Sequence, residues 1–111
     1  MKSSNYLLEC CVDSAYSARM AKKGGADRLE LCSNLVIGGT TPTLALYEQI
    51  RNQTDIRIHV LIRPRFGDFL YSEDETALIC KEIDAFRAAG ADGVVIGSLS
   101  PVSYTHLRAH E

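Results

Sequence analysis

Residues 57–72 read RIHVLIRPRFGDFLYS, and this stretch is central to the prediction of the fold. Its first half is an apolar, β-branched run of strand length. Pro64 removes a backbone donor and restricts Arg63 to extended geometry, so we expect the strand to end near Arg63. Ser72 followed by Glu75 has the spacing of a capping box, which marks a helix start. The stretch therefore predicts a strand, a charged loop and a helix.

The same order recurs along the rest of the chain. Residues 25–27 and residues 90–92 both read Gly-Ala-Asp, each directly after a predicted helix, which is a weak internal repeat. Strands that alternate with helices pair in parallel through right-handed crossovers. We predict strands over residues 6–12, 27–32, 57–63 and 93–96, and helices over residues 15–23, 42–52 and 73–89.

Two architectures use this alternation: a doubly wound sheet and a (β/α)₈ barrel. Every second strand residue is apolar, as in Leu29 and Leu31, which suits a face covered by helices. The opposite faces are polar, with Glu30 and His59 among them, whereas a doubly wound sheet has apolar residues on both faces. A complete barrel needs roughly 250 residues. The sequence therefore predicts an α/β fold of the (β/α)₈ TIM-barrel family, here a truncated half barrel of about four parallel strands and three helices.

Composition excludes several classes of protein. The chain has 111 residues, 46% of them hydrophobic, and a formal charge of −2 without a basic cluster, so nucleic acid is not an expected partner. The chain contains no run of 18 apolar residues, so we predict no membrane span. The four cysteines form no C-x-x-C pair and their positions favour reduced thiols. We expect a cytoplasmic protein that contacts neither nucleic acid nor membrane.

Two cysteines have the spacing of a candidate metal site. Cys11 and Cys32 have the parity of the polar face, and both lie near the carboxyl ends of strands that are neighbours in sequence. Paired thiolates suit a soft metal such as Cu(I). Free cysteine is also a common apolar filler of protein interiors, so packing is the alternative interpretation.

Charged residues form a second candidate site on the same face. Glu9, Glu30, Arg63 and Arg65 are expected to converge at the carboxyl ends of the strands as catalytic or anion-binding groups. Arg28 belongs to the same acid/base and anion-binding set, and a structural layer of ion pairs is the alternative for the whole set. The remaining polar candidates have simpler explanations: Asp68 is a possible base but more typical of a turn, and His59 is expected to be a satisfied interior histidine.

The last residues interrupt the pattern. Residues 101–111 have no apolar face, and His106 and His110 lack the neighbouring Glu of a zinc protease motif, so we expect no site there. The segment resembles translated non-native DNA that recurs at the ends of unrelated environmental sequences. We therefore expect residues 1–100 to form the half barrel and residues 101–111 to be an unrelated tail.

Five motifs make the chain similar to the N-terminal part of the CutC family, whose members are called copper homeostasis proteins. The resemblance covers about Leu8 to Leu99, and Phe66 departs from it because the family usually has glycine at this position. The motifs are Glu9-x-Cys11-Val12-Asp13-Ser14, residues 24–33, Gly38-Gly39-Thr40-Thr41-Pro42, residues 62–72 and Gly90-Ala91-Asp92-Gly93.

The resemblance implies a cytoplasmic (β/α)₈ barrel that forms a homo-oligomer in its full-length form. It implies copper handling, with Cu(I) bound through thiolates that match Cys11 and Cys32. Two alternatives remain beside it. One is a barrel enzyme of unknown reaction that acts on a small anionic substrate, and the other is a truncated fragment without function, because half a barrel leaves open sheet edges.

Overall fold

The structure is a computed structural model and describes residues 6–98 and 108–110. Four strands alternate with three α-helices, and a short fifth strand follows. No helix in the described part of the chain is long and apolar enough to cross a membrane. The elements are β1 (Glu9–Val12), α1 (Ala15–Lys23), β2 (Arg28–Leu31), α2 (Leu44–Gln53), β3 (Arg57–Leu61), α3 (Glu73–Ala88), β4 (Gly93–Ser98) and β5 (Arg108–His110), with a 3₁₀ turn at Leu35–Ile37 between β2 and α2.

The strands form one sheet in the order β1-β2-β3-β4-β5. The first four strands are parallel and sequential, as predicted. β5 pairs antiparallel with β4, and the sequence did not predict this strand. An edge strand presents unpaired backbone groups, so any extended segment within reach can pair with it.

The hydrophobic core lies on one face of the sheet, between the strands and the three helices. Leu31 and Val60 are fully buried on this face, where they belong to the same cluster as Tyr47 and Ile50 of α2 and Phe86 of α3. The Tyr47 and Phe86 rings pack edge to face with centroids 5.8 Å apart. The opposite strand positions lie outside this cluster and are half-buried or exposed, except Cys32, which a loop covers. The predicted arrangement, with helices on one face only, is confirmed for the described residues.

The Gly-Ala-Asp repeat has a structural role at the start of the strands. Gly25 and Gly90 follow α1 and α3 with φ of 99° and 98°, backbone angles that glycine adopts without strain. The Asp27 carboxylate accepts the Leu8 N–H at 2.8 Å. The Asp92 carboxylate accepts the Ile58 N–H at 2.9 Å in the same way. Each aspartate therefore joins the end of a helix to the preceding strand of the sheet.

Side-chain caps fix where the helices begin. The predicted capping box is confirmed, because Ser72 accepts the Glu75 N–H and the Glu75 carboxylate accepts the Ser72 N–H. The predicted start of α2 near Pro42 is wrong by two residues. Thr43 is the N-cap and accepts the Leu46 N–H at 3.1 Å, which places Pro42 before the helix.

Candidate functional site

The helix-free face of the sheet carries a row of polar side chains at one level of the strands. Cys11, Glu30, His59 and Gly93 are aligned in register across β1 to β4. The Cys11 thiol donates to the Glu30 carboxylate at 3.2 Å. We call these four residues the interior layer, because this face would line the inside of a closed barrel.

The two candidate metal ligands lie on adjacent strands at neighbouring levels. Cys11 faces Glu30 in the register, and Cys32 lies two residues beyond Glu30, toward the carboxyl end. A diagonal pair of this kind has Cα atoms roughly 8 Å apart. The Cys32 side chain lies outside the helix-side core, and its thiol donates to the Val12 carbonyl at 3.7 Å. The structure therefore places both cysteines on the same helix-free face.

A glycine-containing loop covers Cys32. Gly39 has φ of 91°, and a Cβ atom there would lie 2.8 Å from Leu61 Cδ2 and 3.6 Å from Cys32 Sγ. Ser33 and Thr40 pair as an isolated antiparallel bridge that closes the loop. The loop thus approaches so closely that Cys32 is 2% exposed. The sequence identified the loop but not its contact with the thiol.

Both thiols are protonated at neutral pH in this environment. Burial, the hydrogen bond to Glu30 and the negative charge of Glu30 raise the pKa of Cys11 to about 11. Burial and the charges of Glu30 and Asp13 raise the pKa of Cys32 to about 11. Because the thiolate is the metal ligand, a metal that binds here must displace protons.

The donor set available to a metal is small. Among residues 6–98, no group of three or more His, Cys, Asp or Glu side chains has the geometry to hold a metal ion. On the helix-free face, the sulfur atoms of Cys11 and Cys32 are the donors that suit a soft cation. The residue types therefore suit a soft cation, with two thiol groups and no third ligand among the described residues.

The predicted convergence of the charged residues is wrong for Glu9. Glu9 is the first residue of β1 and faces Arg28, the first residue of β2, so both lie at the amino ends of their strands. Arg28 Nε lies 2.5 Å from the Glu9 carboxylate. This pair corresponds to the ion-pair alternative, and it lies at the end of the strands opposite to Arg63.

Arg65 lies in the loop that follows the carboxyl end of β3, but its guanidinium is occupied by contacts within this part of the chain. Arg65 Nε donates to Glu75 in the first turn of α3 at 2.5 Å, and Nη2 contacts the Asp68 carboxylate in the preceding loop at 3.3 Å. Nη2 also donates to the Leu70 carbonyl at 3.0 Å. The hydrogen bonds from Arg65 lower the pKa of Glu75. Arg65 stabilises the loop between β3 and α3, and Asp68, which also accepts the Leu70 N–H, has the predicted turn role.

Arg63 also lies just past the carboxyl end of β3, and its guanidinium contacts backbone carbonyls rather than a carboxylate. Its Nη1 donates to the Gly39 carbonyl at 3.1 Å and its Nη2 to the Gly67 carbonyl at 3.0 Å. Its guanidinium carbon lies 5.2 Å from the centre of the Phe69 ring. Arg63 thus bridges the loop before α2 and the loop before α3.

His59 differs from its prediction. It was expected to be a satisfied interior histidine, but its Nδ1 is buried and has no hydrogen-bond partner among the described residues. A Cβ atom at Gly93 would lie 3.0 to 3.2 Å from three atoms of the imidazole ring, so glycine makes room for the ring over β4. The strand register places Gly93 opposite His59, and this register was not predicted from the sequence.

A groove on the helix side of the molecule contains none of these residues. It has a volume of about 320 Å³ and lies between α1 and α2. The candidate chemistry lies on the sheet's other face, so we do not assign the groove to the site. Its lining consists of Ala18, Arg19, Lys22, Lys23, Gln53 and Thr54.

Comparisons with known proteins agree with this fold. A human copper homeostasis protein cutC homolog is 46% identical over 98 residues, which are 88% of this chain and 36% of the human protein. A CutC family protein from Porphyromonas gingivalis is 48% identical over 94 residues, 85% of this chain and 38% of its own. This chain therefore spans less than two fifths of the length of these curated relatives.

A solved structure and a family profile complete the comparison. A crystal structure from Streptococcus agalactiae, assigned to copper homeostasis protein CutC, superposes with a TM-score of 0.78 and 29% identity, covering 86% of this chain and 48% of that one. The four parallel strands and three helices thus form part of an α/β barrel. The CutC family profile matches residues 6–111, a range that includes the segment predicted to be an unrelated tail. The chain belongs to the CutC family.

Proposed function

We propose that this chain takes part in copper homeostasis by binding Cu(I) through Cys11 and Cys32. The observation that carries the proposal is the placement of Cys11 on β1 and of Cys32 directly after the adjacent strand β2, both on the helix-free face of the sheet. Soft thiolate ligands select Cu(I) over harder cations. The relatives' names, which state copper homeostasis, support the same cargo.

The environment of Cys11 shapes how copper would bind. Cu(I) would displace the proton that Cys11 shares with Glu30, so binding competes with protonation at neutral pH. A site whose cysteines were already thiolates would bind Cu(I) without having to displace a proton. We therefore expect a site that takes up copper weakly enough to release it again.

A competition titration of Cu(I) against a chromophoric chelator tests the proposal. Cys11→Ser and Cys32→Ser should each lower the Cu(I) affinity by about tenfold or more, since each removes one of two ligands. Cys80→Ser is the matched control, because Cys80 is exposed on α3 and should leave the affinity unchanged. Equal affinity for the wild type and all three variants would show that the thiols only pack.

We further propose that the protein works in the cytoplasm and that its full-length form is a homo-oligomer. The cytoplasmic location is supported by the cysteines, which are free thiols in the structure, as expected for a reducing compartment. Light scattering of a full-length relative tests the assembly. A monomer at micromolar concentration would contradict it.

A further inference from the structure

Arg63 is fixed at the carboxyl end of β3 by its backbone. Its N–H donates to the Thr41 hydroxyl at 2.8 Å, and its carbonyl accepts the Thr41 N–H at 2.9 Å. The guanidinium is fixed separately by the Gly39 and Gly67 carbonyls. A Cβ atom at Gly38 would lie 3.1 Å from Arg63 Nη1, so a side chain there would crowd the guanidinium. The charge therefore has a defined position between two loops.

Arg63 differs from the other half-buried arginines in having no salt bridge among the described residues. Arg28, Arg51 and Arg65 each form a salt bridge with a carboxylate, at 2.5 to 3.2 Å. Arg63 forms none with any carboxylate in the described chain, although it is half-buried like them. Its Nε is also enclosed and has no hydrogen-bond partner among residues 6–98. A partly desolvated cation without a counter-charge favours an anion from outside the chain.

A second unpartnered donor lies in the same loop. The Tyr71 hydroxyl is buried and accepts or donates no hydrogen bond among the described residues. Its ring packs edge to face on Phe69, the ring that also contacts Arg63, with centroids 6.5 Å apart. Burial raises the pKa of Tyr71 and outweighs the opposing charges of Arg63 and Arg65, so its O–H stays a donor near neutral pH.

We propose that Arg63 and Tyr71 form a binding subsite for the carboxylate or phosphate group of a small organic anion. The guanidinium supplies the charge and the planar donor geometry that match such a group, and the phenol supplies a further O–H donor. Because both free donors are enclosed, the loop between β3 and α3 has to shift when the anion enters. The hydrogen bonds formed then satisfy polar atoms that are otherwise buried without partners.

Titration of the isotope-labelled chain followed by amide NMR tests the proposal. Sodium phosphate and sodium acetate are added in separate series at constant ionic strength, and sodium chloride is added in a third. We expect saturable shifts in residues 63–72 with a dissociation constant below about 10 mM for phosphate, acetate or both, and none with chloride. The stronger of the first two series identifies the anionic group.

Three variants decide whether the proposed donors bind the anion. Arg63→Gln should weaken binding by about tenfold and Tyr71→Phe by about threefold to tenfold. Tyr71→Phe removes no hydrogen bond within the described part of the chain, so it stays informative if Arg63→Gln fails to fold. Arg57→Gln, at the exposed amino end of β3, is the matched charge control and should bind like the wild type. No saturable binding by the wild type, or unchanged binding by folded Tyr71→Phe, would overturn the proposal.

Discussion

Arg63 and Arg65 show how two residues of one type, two positions apart, acquire different roles. In the sequence they are equivalent charges beside Pro64, and both were predicted to face the carboxyl end of the sheet. The capping box at Ser72 brings Glu75 to the start of α3, and this carboxylate binds Arg65. Among the residues that the structure describes, the Arg63 guanidinium has only backbone carbonyls as acceptors. The sequence could predict the charges and the helix cap. That Arg65 and not Arg63 would pair with Glu75 depends on the conformation of the folded loop.

The contacts of Arg65 predict a structural role that can be measured. Arg65→Gln removes hydrogen bonds to Glu75 and to the Asp68 and Leu70 carbonyls, so it should lower the free energy of unfolding and the urea midpoint. Urea denaturation at pH 7 measures the change. Arg87→Gln, at an exposed position on α3, is the control and should change stability by less than about 0.5 kcal/mol. A variant as stable as the wild type would show that the loop folds without Arg65.

At the scale of elements, the Gly-Ala-Asp motif predicts how stability depends on pH. Burial tends to raise the pKa of Asp92, but the hydrogen bonds from Ile58 and Arg51 outweigh it and lower the pKa. A carboxyl group with a lowered folded pKa stabilises the fold above its ordinary pKa of about 3.9. That stabilisation is lost as the pH falls through the pKa of Asp92 in the folded protein. The motif should therefore join α3, β3 and β4 most strongly near neutral pH.

Asp92→Asn tests this dependence. The variant keeps an acceptor for Ile58 but loses the ion pair with Arg51, so at pH 7 it should be less stable by about 1 kcal/mol, a low value because the pair is partly exposed. The difference from the wild type should shrink below about pH 4. Urea unfolding at pH 7 and pH 3 gives both values. Asp84→Asn, exposed on α3, is the control, and a pH-independent difference for Asp92→Asn would contradict the electrostatic explanation.

The elements were predictable because their signals are local. Apolar alternation, Ser72 as a cap and glycines after helices determine strands and helices within short windows. The alternation of polar and apolar strand faces also distinguished a barrel wall from a doubly wound sheet. The contacts of Glu9 and His59 could not be predicted from local signals, because they depend on residues of neighbouring strands. Glu9 pairs with Arg28 because of the register, and the room for His59 comes from Gly93 on the next strand.

At the scale of the whole molecule, the sheet is most strongly paired in its middle. β2 and β3 have parallel partners on both sides, whereas β1 pairs only with β2 among the described strands. β4 is flanked by β3 and by the three residues of β5. The polar interior layer and the unpaired side of β1 correspond to surfaces that a closed barrel covers. Local stability should therefore decrease from the centre of the sheet to its edges.

Hydrogen exchange measured by mass spectrometry tests this gradient and the role of the last residues together. We expect the slowest amide exchange in β2 and β3. We also propose that residues 101–111 lie outside the barrel domain, so their deletion should speed exchange in β4, which loses β5, and leave β2 and β3 unchanged within about twofold. A chain with a shuffled 101–111 sequence is the control for length. If the deletion removes protection from β2 and β3, residues 101–111 are an integral part of the fold, because central strands lose protection only when the sheet as a whole unfolds.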